Sequence, residues 1–514
     1  MDLATTRPDF PPAAPSRAWL GSSLRAGRLK DVLPLFAVFV LALAAAIAPA
    51  PAGAAEFFLA DEPEVYAAID KLNASGALPG FLANTRPYSV RAVREAAAAA
   101  LRGSRPVDFD VELLRWVAYY AAQKQTARVT LATSHSDDRF TPANNEGIPT
   151  PKGWAGQASI AAREDSRPNV SAHLRALSFY GEGGDDGNRL LDAALETGHR
   201  YASLQVGKIS AWYGPGRHGA LILTNNASPY PGVRLHNPEP IPLTGWFSFL
   251  GSVQYDLFVA RMDKKPLYSH SMFVGTRLAA RPAGWLEVGL TRVLHYGGEG
   301  RSNGLSEFFT DYAGNNNPSD RSNTLAGYDI TLTLPFRAQP VQAYWDRAGE
   351  GDNHLLGTGI PWPSQWGNIL GLYFPSVLTV SRLDLRAEYA DNYSGYAKSA
   401  NWYSHGAYPH FYRGNVLGHS MGGNARDWFV ETRCFLLPSS YASATWERVM
   451  HDGAPVKGER HNIFGAGLVG WLTNTWRAEV RASMDRVSTQ GGVPGVDGTD
   501  FSAFLSVAYQ AEGR

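Results

Sequence analysis

The chain has little from which a disulfide-bonded or helical membrane protein could be built. Its 514 residues include a single cysteine, Cys434, which excludes a scaffold of internal disulfides. The mean hydropathy is −0.22, and beyond the N-terminal region no stretch approaches the roughly 20 apolar residues of a spanning helix. Basic and acidic residues number 47 each, so the charge balance argues against nucleic acid as a partner.

Sequence patterns for catalysis and cofactor binding are also missing. The histidines do not follow a metal-ligand spacing such as H-E-x-x-H. The glycines of Tyr213-Gly214-Pro215-Gly216 are not followed by Lys-Ser/Thr, as a phosphate-binding loop requires, and a backbone turn is favoured. His419 and Ser420 are adjacent in an extended segment, so their side chains point apart. We therefore predict no enzyme activity, no catalytic residues, no metal and no cofactor.

The N-terminus has the pattern of an export signal. Arg25, Arg28 and Lys30 precede an apolar run over residues 32–48, and the small residues Ala52-Gly53-Ala54 follow. The pattern predicts a signal peptide over residues 1–54, with cleavage after Ala54. A transmembrane anchor is the alternative, but the alanine-rich run and the small residues favour cleavage.

The next 70 residues have helical periodicity. A first helix is predicted over residues 62–72, and Ser89 is a good N-cap for a second helix over residues 90–101. Asp108 or Asp110 can cap a third helix that continues to Ala121. We predict a periplasmic helical bundle over residues 55–124, either a plug or docking module or a simple packing cap.

From about Thr126 the periodicity changes from helical to alternating. Residues 474–485 show it most clearly, with one apolar face (Trp476, Ala478, Val480, Ala482, Met484) and one charged or polar face (Arg477, Glu479, Arg481, Ser483, Asp485). A protein core cannot take the charged face, but a water-filled lumen can if the apolar face meets lipid. Residues 253–259, 328–334, 383–389 and 505–509 alternate in the same way.

Long and short connections alternate along this part of the chain. The long ones lie at residues 297–327, 347–365, 391–426, 451–461 and 485–501, and tight ones at 281–284, 337–340, 375–376, 438–440 and around 473. This parity indicates long outer loops and short periplasmic turns, which a soluble sandwich does not need. We predict an all-β transmembrane antiparallel β-barrel over residues 125–514 with about 16–18 strands, 18 being favoured. The segment 210–245 leaves room for two of them.

Several motifs resemble one known family. Tyr213-Gly214-Pro215-Gly216, followed by residues 223–229 with Asn225 and Asn226, resembles the central signature of the Wzi-type outer-membrane capsule assembly proteins. Residues 286–292 leading into 297–301, and residues 72–76 with 85–87, support the resemblance. It implies an eighteen-stranded barrel with a periplasmic helical bundle. It also implies a lectin-like role in holding capsular or related polysaccharide on the cell surface.

The resemblance also implies a location and partners. We expect a monomer in the bacterial outer membrane that contacts outer-membrane lipid and capsular polysaccharide or exopolysaccharide. Polysaccharide export machinery, reached through the helical bundle, is a further expected partner if the protein acts as a scaffold.

The long 391–426 connection offers candidate sugar-binding residues. Aromatic faces stack on sugars with little entropy cost, and arginine binds carboxylates. We predict a polysaccharide site formed by Tyr393, Tyr396, Trp402, Tyr403, Tyr408, Tyr412 and Arg413. The alternative is that these aromatics pack the loop on itself or form the interface girdle.

A channel for small or anionic solutes is the other class of function that the pattern allows. The alternation turns Arg382, Arg386, Arg477 and Arg481 inward, but it also turns inward the acidic residues Asp384, Glu388, Glu479 and Asp485. Mixed charges can pair and close a lumen, whereas an open selective pore does not need them. We therefore expect an occluded barrel whose function lies in its outer loops.

Overall fold

The computed structural model describes residues 57–103, 108–167, 170–182, 184, 186–263, 268–312, 322–334, 336, 339–354, 361–378, 380–393, 402–453 and 455–512. The predicted signal peptide therefore lies outside the described residues. The α-helices are α1 (Pro63–Ala74), α2 (Val90–Gly103), α3 (Phe109–Ala122) and α4 (Leu305–Tyr312), and short 3₁₀ turns occupy Gly245–Leu250 and Gln490–Gly492. Among these residues, the structure contains no helix of the length and apolarity that crossing a membrane requires.

Most of the chain forms one closed antiparallel barrel of 18 strands. They are β1 (Gln125–Ser136), β2 (Gly153–Arg167), β3 (Val170–Gly181), β4 (Gly187–His199), β5 (Ala202–Ile209), β6 (Tyr230–His236), β7 (Ser252–Arg261), β8 (Met272–Ala283), β9 (Leu286–Tyr296), β10 (Ser322–Leu334), β11 (Val341–His354), β12 (Pro361–Phe374), β13 (Leu383–Asp391), β14 (Ala425–Leu437), β15 (Ser440–His451), β16 (Arg460–Trp471), β17 (Trp476–Ser488) and β18 (Gly498–Glu512). Each strand pairs with the next along the chain, and Ile241–Pro242 extends the β6 edge against β7. The barrel closes where β18 pairs with β1, with Tyr509 opposite Val129.

The barrel has its apolar side chains outside and its charges inside, as the alternation predicts. On β1, Val129 and Leu131 are exposed on the outer face, whereas Arg128, which precedes them, is buried. On β17, Val480 is exposed and Arg477 is buried. An apolar outer band around a polar interior is the arrangement of a barrel that spans a lipid bilayer.

The helices pack against the barrel end that carries the short turns. Ser89 caps α2, its hydroxyl accepting a hydrogen bond from the Ala92 amide at 3.2 Å, as predicted. The helical core continues into the barrel through Phe435, Tyr441 and Trp471, which border the short β14–β15 and β16–β17 turns. The helices thus cap one end of the barrel, and a docking function for them stays a prediction.

Three details of the sequence prediction need correction. The connection predicted at residues 347–365 is shorter, because β11 continues to His354 and β12 begins at Pro361. The 210–245 segment contributes one barrel strand, β6, and not two, because residues 210–229 turn into the lumen. Arg382 precedes β13 and does not face the lumen, since it lies half-exposed beside Glu112 of α3 at the barrel end.

Candidate functional site

The family-signature segment enters the barrel lumen between β5 and β6. Trp212 and Tyr213 pair there with Thr85 and Arg86 in a small two-stranded antiparallel sheet. The Tyr213 hydroxyl donates to the Asp256 carboxylate of β7 at 3.0 Å. Residues 81–89 and 210–229, which are far apart in sequence, thus meet inside the barrel, and with the 402–424 loop they form what we call the plug.

Two signature glycines are required by close backbone approach. Gly216 lies so near Gly219 that a Cβ at position 216 would stand 2.0 Å from the Gly219 carbonyl oxygen. Gly214 has φ +139°, and a Cβ there would lie 3.0 Å from an Asp346 carboxylate oxygen of the barrel wall. Pro215 lies between them. The motif is therefore closely packed inside the lumen, and its glycines have a packing role.

Carboxylates of the barrel wall hold the plug by its backbone. The Glu388 carboxylate accepts hydrogen bonds from the amides of Arg217 at 2.7 Å and His218 at 3.1 Å. Glu287 accepts from the amides of Ala83 and Asn84 at 3.1 and 3.0 Å. Ionised acceptors strengthen such bonds, so inward acidic residues attach the plug firmly.

The asparagines of the signature join the plug to two outer connections. The Asn226 side chain donates to the Val416 carbonyl oxygen at 3.1 Å. The Asn225 carbonyl oxygen accepts from the Glu146 amide at 2.7 Å, and the Glu146 carboxylate in turn pairs with Arg175 of β3 at 2.5 Å. The signature segment is therefore fixed to both the β1–β2 connection and the 402–424 loop.

The aromatic residues predicted to bind sugar lie mostly inside this plug. Trp402, Tyr403, Tyr408 and Tyr412 are each at most 2% exposed. The Tyr403 hydroxyl donates to the Leu221 carbonyl oxygen at 2.6 Å. These four rings therefore do not form an exposed platform for a sugar, because packing the loop into the lumen buries them.

The other loop residues predicted to bind sugar are less buried or fall outside the described residues. Tyr393 is half-buried after β13, with its amide donating to Asp391 at 2.8 Å. Arg413 is exposed and pairs with Asp263 at 2.6 Å. Tyr396 falls outside the described residues. A sugar-binding role for Tyr393 and Arg413 stays a prediction.

The plug fills one side of the lumen with apolar side chains. Phe258 of β7 faces inward and is fully buried among Tyr213, Tyr230 and Phe273. The alternation within residues 253–259 puts Phe258 on the wet face, but Tyr213 of the plug supplies an apolar partner there that a single strand cannot reveal. The barrel is therefore occluded on this side.

A cavity of about 580 Å³, lined by both polar and apolar groups, remains on the other side of the lumen. Its lining reaches from Asp61 and Tyr441 near the helices to Phe140 and Asn145 in the β1–β2 connection at the opposite end. Ionisable side chains from the plug and the wall project onto it, including Arg175, His218, Glu431, Glu447, Glu479 and Arg481. This cavity, which sequence reasoning did not locate, is the candidate functional site.

His218 lies in the plug beside Arg217, and both residues line the cavity. The His218 Nε2 atom lies 3.1 Å from an Asp427 carboxylate oxygen and 3.2 Å from a Glu447 carboxylate oxygen. Burial alone would lower the pKa of His218, but the two neighbouring carboxylates raise that pKa well above its usual value. His419, on the adjacent loop, has a pKa well below its usual value because it is buried and next to His218.

The inner end of the plug is fixed to helix α1 through Asp70. The Asp70 carboxylate accepts from the Tyr88 hydroxyl at 2.7 Å and pairs with Arg86 and with Arg217, the latter at 3.1 Å. Burial would raise the pKa of Asp70, but the arginine charges outweigh it and hold that pKa well below the usual value. Asp70 therefore stays ionised and links the helices to the plug.

Comparison with known proteins finds a matching family model and a similar curated protein. The family model described as "Capsule assembly protein Wzi" matches residues 121–500. A Klebsiella pneumoniae protein, described as an uncharacterized 55.8 kDa protein in the cps region, is 28% identical over 255 residues. That alignment covers 46% of this chain and 50% of the relative, so the chain spans about half the length of the curated relative it matches.

Solved structures with the same fold include an outer-membrane barrel. Wzi of Escherichia coli, described as an outer membrane protein involved in group 1 capsule assembly and a carbohydrate-binding β-barrel, superposes with a TM-score of 0.70. The two chains are 19% identical, and the alignment covers 90% of this chain and 100% of the other. OpdQ of Pseudomonas aeruginosa aligns with a TM-score of 0.45 and 10% identity, over 75% of this chain and 98% of OpdQ.

Proposed function

The chain belongs to the Wzi family of capsule assembly proteins, and on that premise we propose that it is a lectin-like protein that attaches or organises exported capsular or extracellular polysaccharide at the cell surface. It is an outer-membrane protein with the family's β-barrel fold.

The observation that carries the proposal is the cavity beside a firmly attached plug, into which charged side chains project. Its volume of about 580 Å³ is within the usual range of small-ligand sites, about 300–1,000 Å³, and suits a short saccharide segment. The plug blocks the other side of the lumen, so the cavity is the part of the barrel that a polymer can occupy. A polymer bound to the cavity wall is retained, as a surface attachment protein requires.

The cavity wall offers the chemistry that sugars need. Arg481 of β17 has a half-exposed side chain, and its guanidinium stands 4.6 Å from the Phe504 ring centroid and 2.9 Å from the Glu479 carboxylate. Such a group can donate to hydroxyls or to the carboxylate of an acidic sugar, and the aromatic ring can cover the apolar face of the sugar. Both signs of charge along the wall fit a ligand with many hydroxyls and some carboxylates.

The experiment is a pull-down of the organism's own purified surface polysaccharide by the detergent-solubilised protein. We expect the wild-type protein to retain it and Arg481→Ala to weaken retention about tenfold, since one charge-assisted hydrogen bond contributes about 1.5–3 kcal/mol. Arg382→Ala is the matched control, because Arg382 is similarly exposed but lies at the helical end of the barrel, away from the cavity. A third variant, Arg413→Ala, tests the outer loop.

The pattern of losses decides between sites. Loss in Arg481→Ala alone supports the cavity, and loss in Arg413→Ala alone moves the binding site to the outer loop while keeping the lectin function. Failure of the wild-type protein to bind its own surface polysaccharide would reject the proposal. Heat-modifiable electrophoretic migration checks that each variant barrel is folded.

A channel is the second candidate, because the cavity is lined by residues from both ends of the barrel. Asp61 lines it near the helices and Phe140 lines it near the outer connections. Single-channel recording from purified protein tests this directly. A large and steady open conductance would favour solute passage over retention, whereas a closed lumen would agree with the lectin-like role.

A further inference from the structure

Three potential metal ligands converge on the wall of the cavity. His218 comes from the plug, Asp427 from β14 and Glu447 from β15. Asp427 and Phe429 lie two residues apart and so share the inward face of β14, and Glu447 pairs directly opposite Phe429 on β15. The fold thus brings one imidazole and two carboxylates together from three separate elements.

The three groups approach one another closely without satisfying one another by hydrogen bonds. Asp427 is 1% exposed, and no hydrogen-bond donor among the described residues reaches either of its carboxylate oxygens with acceptable geometry. The Nε2 atom of His218 is buried and likewise lacks an aligned partner. Buried carboxylates in this condition are costly unless a cation compensates them, and that cation is either a protonated His218 or a metal ion held by all three groups.

The distances match the edges of a metal coordination sphere. His218 Nε2 lies 3.1 Å from the Asp427 oxygen and 3.2 Å from the Glu447 oxygen. Ligands about 2.0–2.1 Å from a tetrahedral zinc ion are about 3.3 Å apart, which these two distances match, and all three ligand atoms lie within 4.8 Å of one another. We propose that His218, Asp427 and Glu447 form a binding site for a divalent transition metal ion of the zinc class.

The surroundings hold the proposed ligands in place. The His218 ring stacks on Phe429 with a centroid distance of 3.8 Å, and the His218 amide donates to Glu388. The Nδ1 atom of His419 lies 3.2 Å from the Met421 amide and accepts its hydrogen bond, so the other nitrogen carries the proton and faces Asp427 at 4.0 Å. Outer groups that fix the orientation of the ligands are a regular part of metal sites.

The site also has an entry path and an open position. His218 and Glu447 both line the 580 Å³ cavity, so an ion reaches them through solvent. With three protein ligands, the fourth position points to the cavity and takes water or another oxygen ligand.

The test uses full-length protein in detergent, with any affinity tag removed and with metal stripped by a chelator. Equilibrium dialysis against Zn²⁺, followed by elemental analysis, should give one bound ion that is lost in His218→Gln and in Glu447→Gln. Each variant should weaken binding at least about tenfold. Cobalt substitution should give the absorption of a tetrahedral or five-coordinate ion in the wild-type protein, and this band should be absent from both variants.

A second cluster of potential metal ligands, at the outer rim of the barrel, provides the matched control. His451, Glu459 and His461 also lie near one another, with His461 already bonded to Asp485 at 2.7 Å. His461→Gln should leave the ion and the cobalt spectrum unchanged. Loss of the ion in His461→Gln with retention in His218→Gln would overturn the proposal, because the metal would then bind at the rim.

The remaining outcomes are equally decisive. Absence of Zn²⁺ uptake by the folded wild-type protein would overturn the proposal and leave a proton on His218 as the compensating cation. If His218→Gln fails to fold, Glu447→Gln decides, and unchanged uptake in it would also reject the site. None of these measurements depends on polysaccharide, so the proposed function can fail without affecting them.

Discussion

The buried ion pair between Glu64 of α1 and Arg477 of β17 should control how firmly the helices are attached to the barrel. The Glu64 carboxylate accepts from Arg477 Nε and Nη2, both at 3.0 Å, and from the Trp471 indole at 3.0 Å. Glu64 and Arg477 are at most 4% exposed. Glu64→Gln removes the charge with almost no change of shape and leaves the guanidinium buried.

The expected loss follows from this burial. Removing one partner of a buried pair typically costs about 3–5 kcal/mol, and Glu479, 3.2 Å from Arg477, still compensates part of the charge. We therefore expect Glu64→Gln to destabilise the docked state of the helices by about 3 kcal/mol. Glu112 of α3 is the matched control, because its pair with Arg382 spans the same interface at 3.5 Å with both side chains 44% exposed. Glu112→Gln should cost about 0.5 kcal/mol or less.

Urea titration of the protein in lipid vesicles provides the assay. Hydrogen exchange of the α1 amides, followed by mass spectrometry, reports undocking of the helices separately from unfolding of the barrel. Glu64→Gln should accelerate exchange in α1 while the strands stay protected. Equal effects of Glu64→Gln and Glu112→Gln would refute the reasoning, since burial would then not determine the strength of the pair.

Two further predictions concern the plug. Gly216→Ala should abolish heat-modifiable migration or strongly lower the folded yield, because the added Cβ would lie 2.0 Å from the Gly219 carbonyl oxygen. Gly156→Ala is the control and should fold normally, because the added Cβ would have no neighbouring atom within 4 Å. Because the pKa of Asp70 is lowered in the folded protein, its ionised carboxylate stabilises the folded state fully above about pH 4. This stabilisation is lost progressively as the pH falls toward the folded-state pKa. Asp70→Asn should therefore reduce stability at pH 7 and flatten the pH dependence below pH 4 in urea titrations, and an unchanged acid slope would contradict this.

Local patterns in the sequence predicted the elements of the fold because each depends on neighbours in the chain. Ser89 begins a helix because its hydroxyl can accept a hydrogen bond from an amide three residues later. The alternation around Arg477 predicts a strand because one face must meet lipid and the other must not. The parity of the connections likewise placed the short turns at one end of the barrel, where the helices pack.

The contents of the lumen depend on distant residues and could not be predicted in the same way. Nothing near Phe258 indicates that Tyr213 will cover it, because Tyr213 comes from a segment that leaves the wall and turns inward. The burial of the aromatic loop residues could not be predicted for the same reason, since Tyr403 reaches its buried partner Leu221 only in the folded barrel. A pattern of residue types identifies a binding chemistry, but it does not say whether that chemistry faces solvent.

The inward charges have two different roles, and their position around the barrel decides which. Arg277 and Arg386 face the plug, are 1% exposed, and meet Asp329 and Glu388 of the wall, which also bind the plug. Arg481, on the other side, is half-exposed to the cavity. Because Arg277 and Arg386 are buried, a ligand in the lumen does not reach their donors, whereas Arg481 can offer its donors to one. The balance of charge in the strands thus closes one half of the lumen and leaves the other half available for recognition.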